Sequence, residues 1–188
     1  MAIYSGGTLV IDATNVQSPR LTGNLPAING ASLTNLSAGK ILQVQQGTNT
    51  VDSQHAGSSE ATVTSVAITP AASSSKVLIL WNLNCSADAN AKGFIYRGST
   101  KIAQGESESN RTPCSHSYKL ASSDAYTDQF GGCYLDSPST TSSTTYSLRV
   151  HAIGDGGFNQ FVNRPRNDVT TNRGARTMCS IVCMEVGA

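Results

Sequence analysis

Charged side chains are scarce in this sequence, and the few that are present nearly cancel. The 188 residues include 13 Lys and Arg and 12 Asp and Glu, a charged fraction of 13%, which is about half of the usual one. A net charge of +1 creates no field that would attract nucleic acid or an anionic membrane. We therefore expect neither nucleic-acid binding nor membrane insertion. Weak charge repulsion between copies is compatible with tight self-assembly.

Long apolar runs and a secretory signal are also missing. No stretch approaches the roughly 20 apolar residues of a membrane helix, and the N-terminus MAIYSGGTLVID lacks a basic n-region and a continuous apolar h-region. Five cysteines, an odd number, indicate reduced thiols in a chain made in a cytoplasm. Four of them lie in strand-like runs, where free Cys behaves as a small hydrophobe: Cys85, Cys133, Cys179 and Cys183.

Motifs for catalysis and for metal binding are absent too. The 12 acidic residues are scattered, without a carboxylate pair in a recognisable motif, and no G-x-S-x-G elbow occurs. Cys114 and His116 form a close Cys and His pair, but no second cluster completes the ligand set of a zinc site. His55, His116 and His151 are expected to be surface residues. We predict no enzyme, no metal and no cofactor.

No segment shows a convincing helical periodicity of apolar residues. Ser, Thr, Asn and Gly provide much of the non-charged remainder of the sequence, which suits strands and turns. The run from Lys76 to Leu83 is apolar on both faces, with Val77, Ile79, Trp81 and Leu83 on one face and Leu78 and Leu80 on the other. This pattern predicts a central strand with other parts of the protein packed against both of its faces. The last run, Thr177 to Val186, is also apolar on both faces, which predicts a second central strand or a strand at a subunit interface.

The remaining runs complete an all-β prediction. Tyr146, Leu148 and Val150 alternate with polar residues, which predicts a strand with one wet face. Residues 106–127 are predicted to be mostly loop. Eight or so strands point to a sandwich or a barrel. A jelly-roll-like sandwich fits best, because it can bring the run at Val77 close to the last strand, while an immunoglobulin-like sandwich stays open.

Residues 1–40 differ in character from residues 41–188, for which we predict the β-sandwich domain. The segment LTGNLPAINGASLTNL carries isolated apolar residues that cannot form a core alone: Leu21, Leu25, Ile28, Leu33 and Leu36. Such a segment is either a flexible linker or finds apolar partners in other chains. We favour the second alternative, an extended N-terminal arm for attachment or oligomerisation.

Three stretches resemble one group of proteins. The arm segment LTGNLPAINGASLTNL looks like segments that recur in phage tail-fibre proteins. The stretch Ile68-Thr69-Pro70 followed by Ser74-Ser75-Lys76-Val77-Leu78-Ile79 resembles a strand, loop and strand of small phage virion proteins of the tail-fibre-like type. The ending from Arg173-Gly174-Ala175-Arg176-Thr177 through Cys183-Met184-Glu185-Val186 resembles the terminal strand of the same proteins.

The resemblance implies a β-rich, non-enzymatic virion component, commonly a homotrimer, made in the host bacterial cytoplasm. Its arm would dock onto the particle and contact other virion proteins, while the C-terminal domain would face outward. A tail fibre, a spike, a collar and a head decoration are all compatible with this expectation. Trimerisation would also explain the arm physically, since three arms could bury their leucines around one axis.

The alternative is a receptor- or carbohydrate-binding tip that serves host adsorption. Aromatic faces stack on sugars, and the candidates in and beside the long loop are Tyr118, Tyr126 and Phe130. Trp81 is predicted to be a core residue instead. A polysaccharide depolymerase is disfavoured, because no carboxylate pair is recognisable.

The local basic feature of the sequence comprises Arg164, Arg166, Arg173 and Arg176. These arginines could contact an acidic neighbour in the particle or an anionic sugar on the host surface. The other interpretation is a solvated loop in which Asp168 offsets part of the positive charge. We favour it because exposed charges usually contribute little to stability.

Overall fold

The computed structural model of this chain describes residues 3–5, 8–11, 41–56, 59–88, 90–118, 126–152, 159–167 and 174–187. The chain divides into two units, Met1–Ala38 and Gly39–Ala188. In the first unit β1 (Ile3–Ser5) pairs antiparallel with β2 (Thr8–Ile11). The predicted arm residues at 21, 25, 28, 33 and 36 lie outside the described residues.

The second unit is built from strands. They are β3 (Ile41–Asn49), β4 (Ser53–Ala56), β5 (Ala61–Ile68), β6 (Lys76–Ala87), β7 (Ala91–Arg97), β8 (Thr100–Ile102), β9 (His116–Tyr118), β10 (Asp128–Asp136), β11 (Thr144–Ala152), β12 (Asn159–Val162) and β13 (Cys179–Val186). Every pairing between them is antiparallel. The described part of the chain contains no helix long and apolar enough to cross a membrane.

The first sheet, sheet I, is organised around β6, which pairs on both of its sides. At Asn82, Gly131 of β10 lies opposite on one side and Ser180 of β13 on the other. β12 follows β13 along that second side, where Val162 lies opposite Cys85. β3 pairs with β13, and β4 pairs with β12. The predictions that β6 is central and that it lies close to the last strand are confirmed.

The second sheet, sheet II, is organised around β7 and β11. β11 pairs with β5 on one side and with β7 on the other. β8 pairs with the end of β7 and β9 pairs with its start, so these two short strands share one side of β7. β9 interrupts the predicted loop at 106–127. A strand of three residues is too short to show an alternating pattern in the sequence.

The core lies between the two sheets and joins them. It takes Val77, Ile79, Trp81 and Leu83 from β6, Ile181 and Cys183 from β13, Ile95 from β7, and Tyr146, Leu148 and Val150 from β11. The alternation predicted for the last three is confirmed, since all are fully buried. The all-β prediction is confirmed, and the architecture is a β-sandwich of two antiparallel sheets. The jelly-roll connectivity stays a prediction.

One edge of sheet II is covered by side chains from sheet I. Gln43 of β3 donates from its side-chain amide to the backbone oxygen of Thr69 at 2.7 Å. Asn49, also of β3, donates to the backbone oxygen of Val63 at 2.9 Å. These contacts use one carbonyl group of β5 and one directly after it, which would otherwise face water at an open edge. They also hold β3 and β5 together.

Candidate functional site

The outer face of sheet I, the side that points away from the core, is a surface that none of the described residues covers. Twelve residues form it, three from each of β10, β6, β13 and β3, in three rows that run across the strands. The apolar row is Leu135, Leu78, Met184 and Val44; the middle row is Cys133, Leu80, Val182 and Gln46; and the polar row is Gly131, Asn82, Ser180 and Thr48. We call these twelve residues the outer face.

Three of the aliphatic side chains of the outer face are open to solvent. Val44 is 53% exposed, Leu135 is 46% exposed and Leu80 is 36% exposed, while the others are partly covered by their neighbours across the strands. The prediction that β6 is packed on both faces is therefore wrong for Leu80, because none of the described residues covers this side of the sheet. None of the twelve side chains carries a charge.

This apolar surface extends past β3 toward the start of the domain. Leu42 and Ile41 are about half exposed, and Leu42 packs beside Gly187, where an added Cβ would lie 3.3 Å from the leucine side chain. The ladder between β3 and β13 is irregular at this point, since Val186 pairs with Ile41 after Glu185 pairs with Gln43. The apolar end of the outer face is thus the end at which the chain enters β3.

Lys101 and Arg149 of sheet II are held by partners. Lys101 forms an ion pair with Glu60, and the Tyr96 hydroxyl donates a hydrogen bond to the same carboxylate. Burial disfavours the charged Glu60, but the hydrogen bonds from Lys101 and Tyr96 outweigh it and lower its pKa. The Lys101 ammonium lies 4.2 Å from the Phe94 ring centre, and the Arg149 guanidinium lies 4.1 Å from that of Tyr96. Cations therefore cover these two rings.

The predicted arginine feature is partly tied to acidic residues of other segments. Arg164 Nε lies 3.6 Å from Asp52 Oδ2, and its guanidinium lies 4.7 Å from the Phe161 ring centre. Arg166 Nε lies 2.7 Å from Asp88 Oδ1. Arg176 is exposed, and the arginine at 173 lies outside the described residues. Because Arg164 and Arg166 are in ion pairs, these two do not form an open site for anions.

The predicted aromatic ligand residues separate into an interior pair and one exposed ring. Tyr118 is buried in β9, and its ring stacks on Phe130 with centroids 4.5 Å apart. Burial raises the pKa of Tyr118 well above its usual value. Trp81 is buried as predicted, and its indole N–H donates to His116 Nε2. Tyr126 is 63% exposed, so it alone of the three candidates offers a largely exposed ring.

The cysteines divide into three buried thiols and two that solvent reaches. Burial raises the pKa of Cys85 to about 12, that of Cys179 to about 11 and that of Cys183 to about 12. These thiols are therefore unreactive at neutral pH. Cys133 is exposed on the outer face, and Cys114 is partly buried. Within the described ranges, no three His, Cys, Asp or Glu side chains form a group that could hold a metal ion.

Comparisons with models of known protein families and with curated proteins find no match to this chain. The geometry of the outer face is therefore the main guide to function. The sequence indicated part of this surface, because the runs at 76–83 and 177–186 have apolar residues at both odd and even positions. What the sequence did not show is that β10, β6, β13 and β3 align in register, so that their outward residues form common rows.

Proposed function

We propose that this chain is a non-enzymatic structural component of a phage virion, which forms a homotrimer and attaches to the particle through residues 1–40. The observation that carries the proposal is the uncharged outer face of sheet I, on which Val44, Leu135 and Leu80 are open to solvent. Contiguous apolar patches of about 300–600 Å² often mark interaction sites. The resemblance of the arm and of two strand segments to tail-fibre-like virion proteins supports the virion as the place of assembly.

The rest of the domain suits a passive structural part. Its core joins both sheets in one cluster, and the edge of β5 is covered by side chains of β3. Covered edges protect a sheet from uncontrolled pairing with other chains. The edge of β5 is therefore protected from such pairing.

The test is the location of the chain in the particle. Purified phage particles are imaged by cryo-electron microscopy, and the copy number of the chain per particle is measured by quantitative mass spectrometry. We expect density for the β-sandwich in symmetric groups of copies at one site of the virion. Purified particles that contain none of the chain would refute the proposal.

A second experiment tests the role of the arm. Particles are assembled with the full chain or with a fragment of residues 41–188, and the amount of each that co-purifies with particles is compared. The fragment contains every strand of the sandwich, so we expect it to fold but to lose attachment. Attachment of the fragment at the level of the full chain would show that residues 1–40 do not dock.

The alternative function, a tip that binds a host receptor or surface glycan, is favoured by the exposed ring of Tyr126. It predicts that the isolated chain binds host cells or a glycan array and that Tyr126→Ala abolishes this binding. A passive structural protein would bind neither, and adsorption of the phage would be unchanged by the substitution.

A further inference from the structure

We infer that the outer side of sheet II carries a binding site for an acidic sugar, in which Lys92, Arg149 and His151 hold the carboxylate and its neighbouring hydroxyl groups. We call these three residues the basic site. The inference goes beyond the proposed function, because it assigns a ligand to the sandwich domain and depends neither on the virion nor on the trimer.

The register of sheet II places the three side chains next to one another. Lys92 of β7 lies directly opposite His151 of β11, and Arg149 precedes His151 on the same side of its strand. Ala91 and Val150, their neighbours along the chain, belong to the core. Because side chains alternate along a strand, the basic site lies on the side of sheet II that points away from the core.

The strands of sheet II that the structure describes contain no acidic residue but several basic ones, namely Lys92, Arg97, Lys101 and Arg149. Arg97 is paired with Asp136, and Lys101 is paired with Glu60. Within the described ranges, Lys92 and Arg149 have no carboxylate partner. The ligand that complements this surface is therefore an anion.

Several nitrogen atoms of the basic site have no partner in the part of the chain that the structure describes. Arg149 Nε donates to the Ser147 hydroxyl at 3.3 Å, while its two terminal nitrogens and the Lys92 ammonium meet no acceptor there. His151 Nε2 is buried and also without a partner. Since such an atom costs free energy, a ligand that supplies a partner is favoured. A hydroxyl group suits either tautomer of the ring, because it both donates and accepts.

The guanidinium of Arg149 is held in place for a carboxylate. It lies 4.1 Å from the ring centre of Tyr96, and this stacking restrains its plane. A restrained guanidinium can donate two parallel hydrogen bonds to the two oxygens of one carboxylate. The rings of Phe94 and Tyr96 beneath the site are buried, so charges interact there more strongly than in open water.

Hydroxyl side chains flank the two cations and indicate the class of the ligand. Thr62 of β5 lies opposite Arg149, Ser117 of β9 lies opposite Lys92, and both are exposed. A ligand that joins a carboxylate to several hydroxyl groups uses this arrangement more fully than a bare carboxylate does. A uronic acid has this chemistry.

The experiment titrates the isotope-labelled full chain with three probes and follows its amide signals by NMR. Sodium glucuronate carries the carboxylate and the hydroxyl groups. Glucose lacks the charge, and acetate lacks the hydroxyl groups and represents the carboxylate of an acidic protein segment. Circular dichroism shows whether each variant is folded.

Four variants locate the binding. Lys92→Gln removes a cation that has no protein partner to lose, and Arg149→Lys keeps the charge but removes the planar fork. Lys76→Gln is the matched control, because it removes an exposed cation from β6 of sheet I. Tyr126→Ala separates this site from the glycan-binding tip considered above.

We expect glucuronate to bind the unchanged chain with a Kd on the order of 1 mM, as befits one sugar, and to shift the amide signals of the basic site. Lys92→Gln and Arg149→Lys should each weaken binding at least about fivefold. Lys76→Gln and Tyr126→Ala should bind glucuronate as the unchanged chain does. Glucose and acetate should bind at least about tenfold more weakly than glucuronate.

Absence of saturable glucuronate binding up to ~50 mM overturns the inference, and so does binding that neither Lys92→Gln nor Arg149→Lys weakens. Acetate that binds as tightly as glucuronate overturns the assignment to a sugar and points to an acidic protein segment instead. If Arg149→Lys does not fold, Lys92→Gln alone decides the question. None of these outcomes bears on the presence of the chain in particles, so the inference and the proposed function fail separately.

Discussion

The hydroxyl of Tyr146 donates a hydrogen bond of 2.6 Å to the carboxylate of Asp136, and this contact joins the two sheets in the interior of the sandwich. Arg97 Nη1 donates to both oxygens of the same carboxylate, at 2.9 and 3.0 Å. Asp136 ends β10 of sheet I, while Tyr146 and Arg97 belong to β11 and β7 of sheet II. Burial raises the pKa of Tyr146, and the neighbouring Asp136 raises it further. The hydroxyl therefore stays a donor at all ordinary pH values.

Removal of this carboxylate should destabilise the domain more than removal of the hydroxyl. We expect Asp136→Ala to lower the free energy of unfolding by about 3 kcal/mol, because it leaves the Tyr146 hydroxyl without its acceptor and the Arg97 guanidinium without its carboxylate partner. Tyr146→Phe should cost about 1–2 kcal/mol, since one hydrogen bond to a charged group is lost. Urea unfolding of both single variants and of the double variant measures the two losses and their coupling.

The control for these variants is Arg111→Ala, which removes an ion pair to Glu108 whose two side chains are 80% and 70% exposed. Such a pair contributes roughly 0–1 kcal/mol. If Asp136→Ala cost no more than Arg111→Ala, the contact between the sheets would not be a determinant of stability.

A second prediction concerns the closest approach of β3 to β5. A Cβ atom at Gly47 would overlap the backbone oxygen of Ser65, and its next neighbour, the Ser65 carbonyl carbon, would lie 2.9 Å away. Because a backbone group cannot rotate away as a side chain can, the strands must separate to admit alanine. We expect Gly47→Ala to cost about 2–3 kcal/mol in urea unfolding. Gly105→Ala is the matched control, since no atom lies within 4 Å of its added Cβ, and equal stability of the two variants would contradict the prediction.

A third prediction concerns Asn163, which adopts a left-handed backbone conformation with φ of 61°. Its buried side-chain amide donates to the backbone oxygens of Asn49 at 2.8 Å and Val51 at 3.0 Å, and its side-chain oxygen accepts from the thiol of Cys179 at 3.0 Å. Asn163→Ala loses these bonds and adds backbone strain, so we expect a cost of about 3 kcal/mol.

Asn163→Gly separates the two causes, because glycine accepts positive φ without strain but makes no side-chain bonds. We expect Asn163→Gly to recover about 1 kcal/mol of the loss in thermal or urea unfolding. If glycine were no better than alanine at this position, the backbone conformation would contribute nothing to the cost.

The sequence predicted features that depend on one strand at a time. The alternation of Val77, Ile79, Trp81 and Leu83, and that of Tyr146, Leu148 and Val150, identified buried faces correctly, because a period of two is set by backbone geometry within a strand. The apolar last run predicted a central strand for the same reason. These patterns were sufficient for the fold class and for the core.

Features that depend on the register between distant strands could not be predicted in the same way. The rows of the outer face require Leu135, Leu78, Met184 and Val44 to align across four strands, and no local pattern sets that alignment.

The role of Glu185 also could not be predicted, because the sequence shows only an acidic residue in an otherwise apolar strand. Burial opposes its ionisation, but hydrogen bonds from Gln43 and from the backbone N–H of Ala71 outweigh it and lower its pKa.

A fourth prediction concerns the pH dependence of stability. Burial lowers the pKa of His116 below its ordinary value of 6.5, and its Nε2 accepts the hydrogen bond from the Trp81 indole. Protonation would place a donor against a donor. The folded chain therefore binds this proton more weakly than the unfolded chain, so the free energy of unfolding should be highest above pH 6.5 and fall as the pH decreases below it.

The contribution of His116 can be isolated with His116→Gln, because glutamine retains an acceptor for Trp81 but does not titrate. Burial also lowers the pKa of His55, so His55→Gln is the control that removes a histidine remote from the indole. Urea unfolding between pH 7.5 and about 5 should show a shallower loss of stability in both variants than in the unchanged chain. Trp81 is the only tryptophan, and its emission should change with pH in the unchanged chain and in His55→Gln but not in His116→Gln. An emission titration that persists in His116→Gln would show that another group controls the environment of the indole.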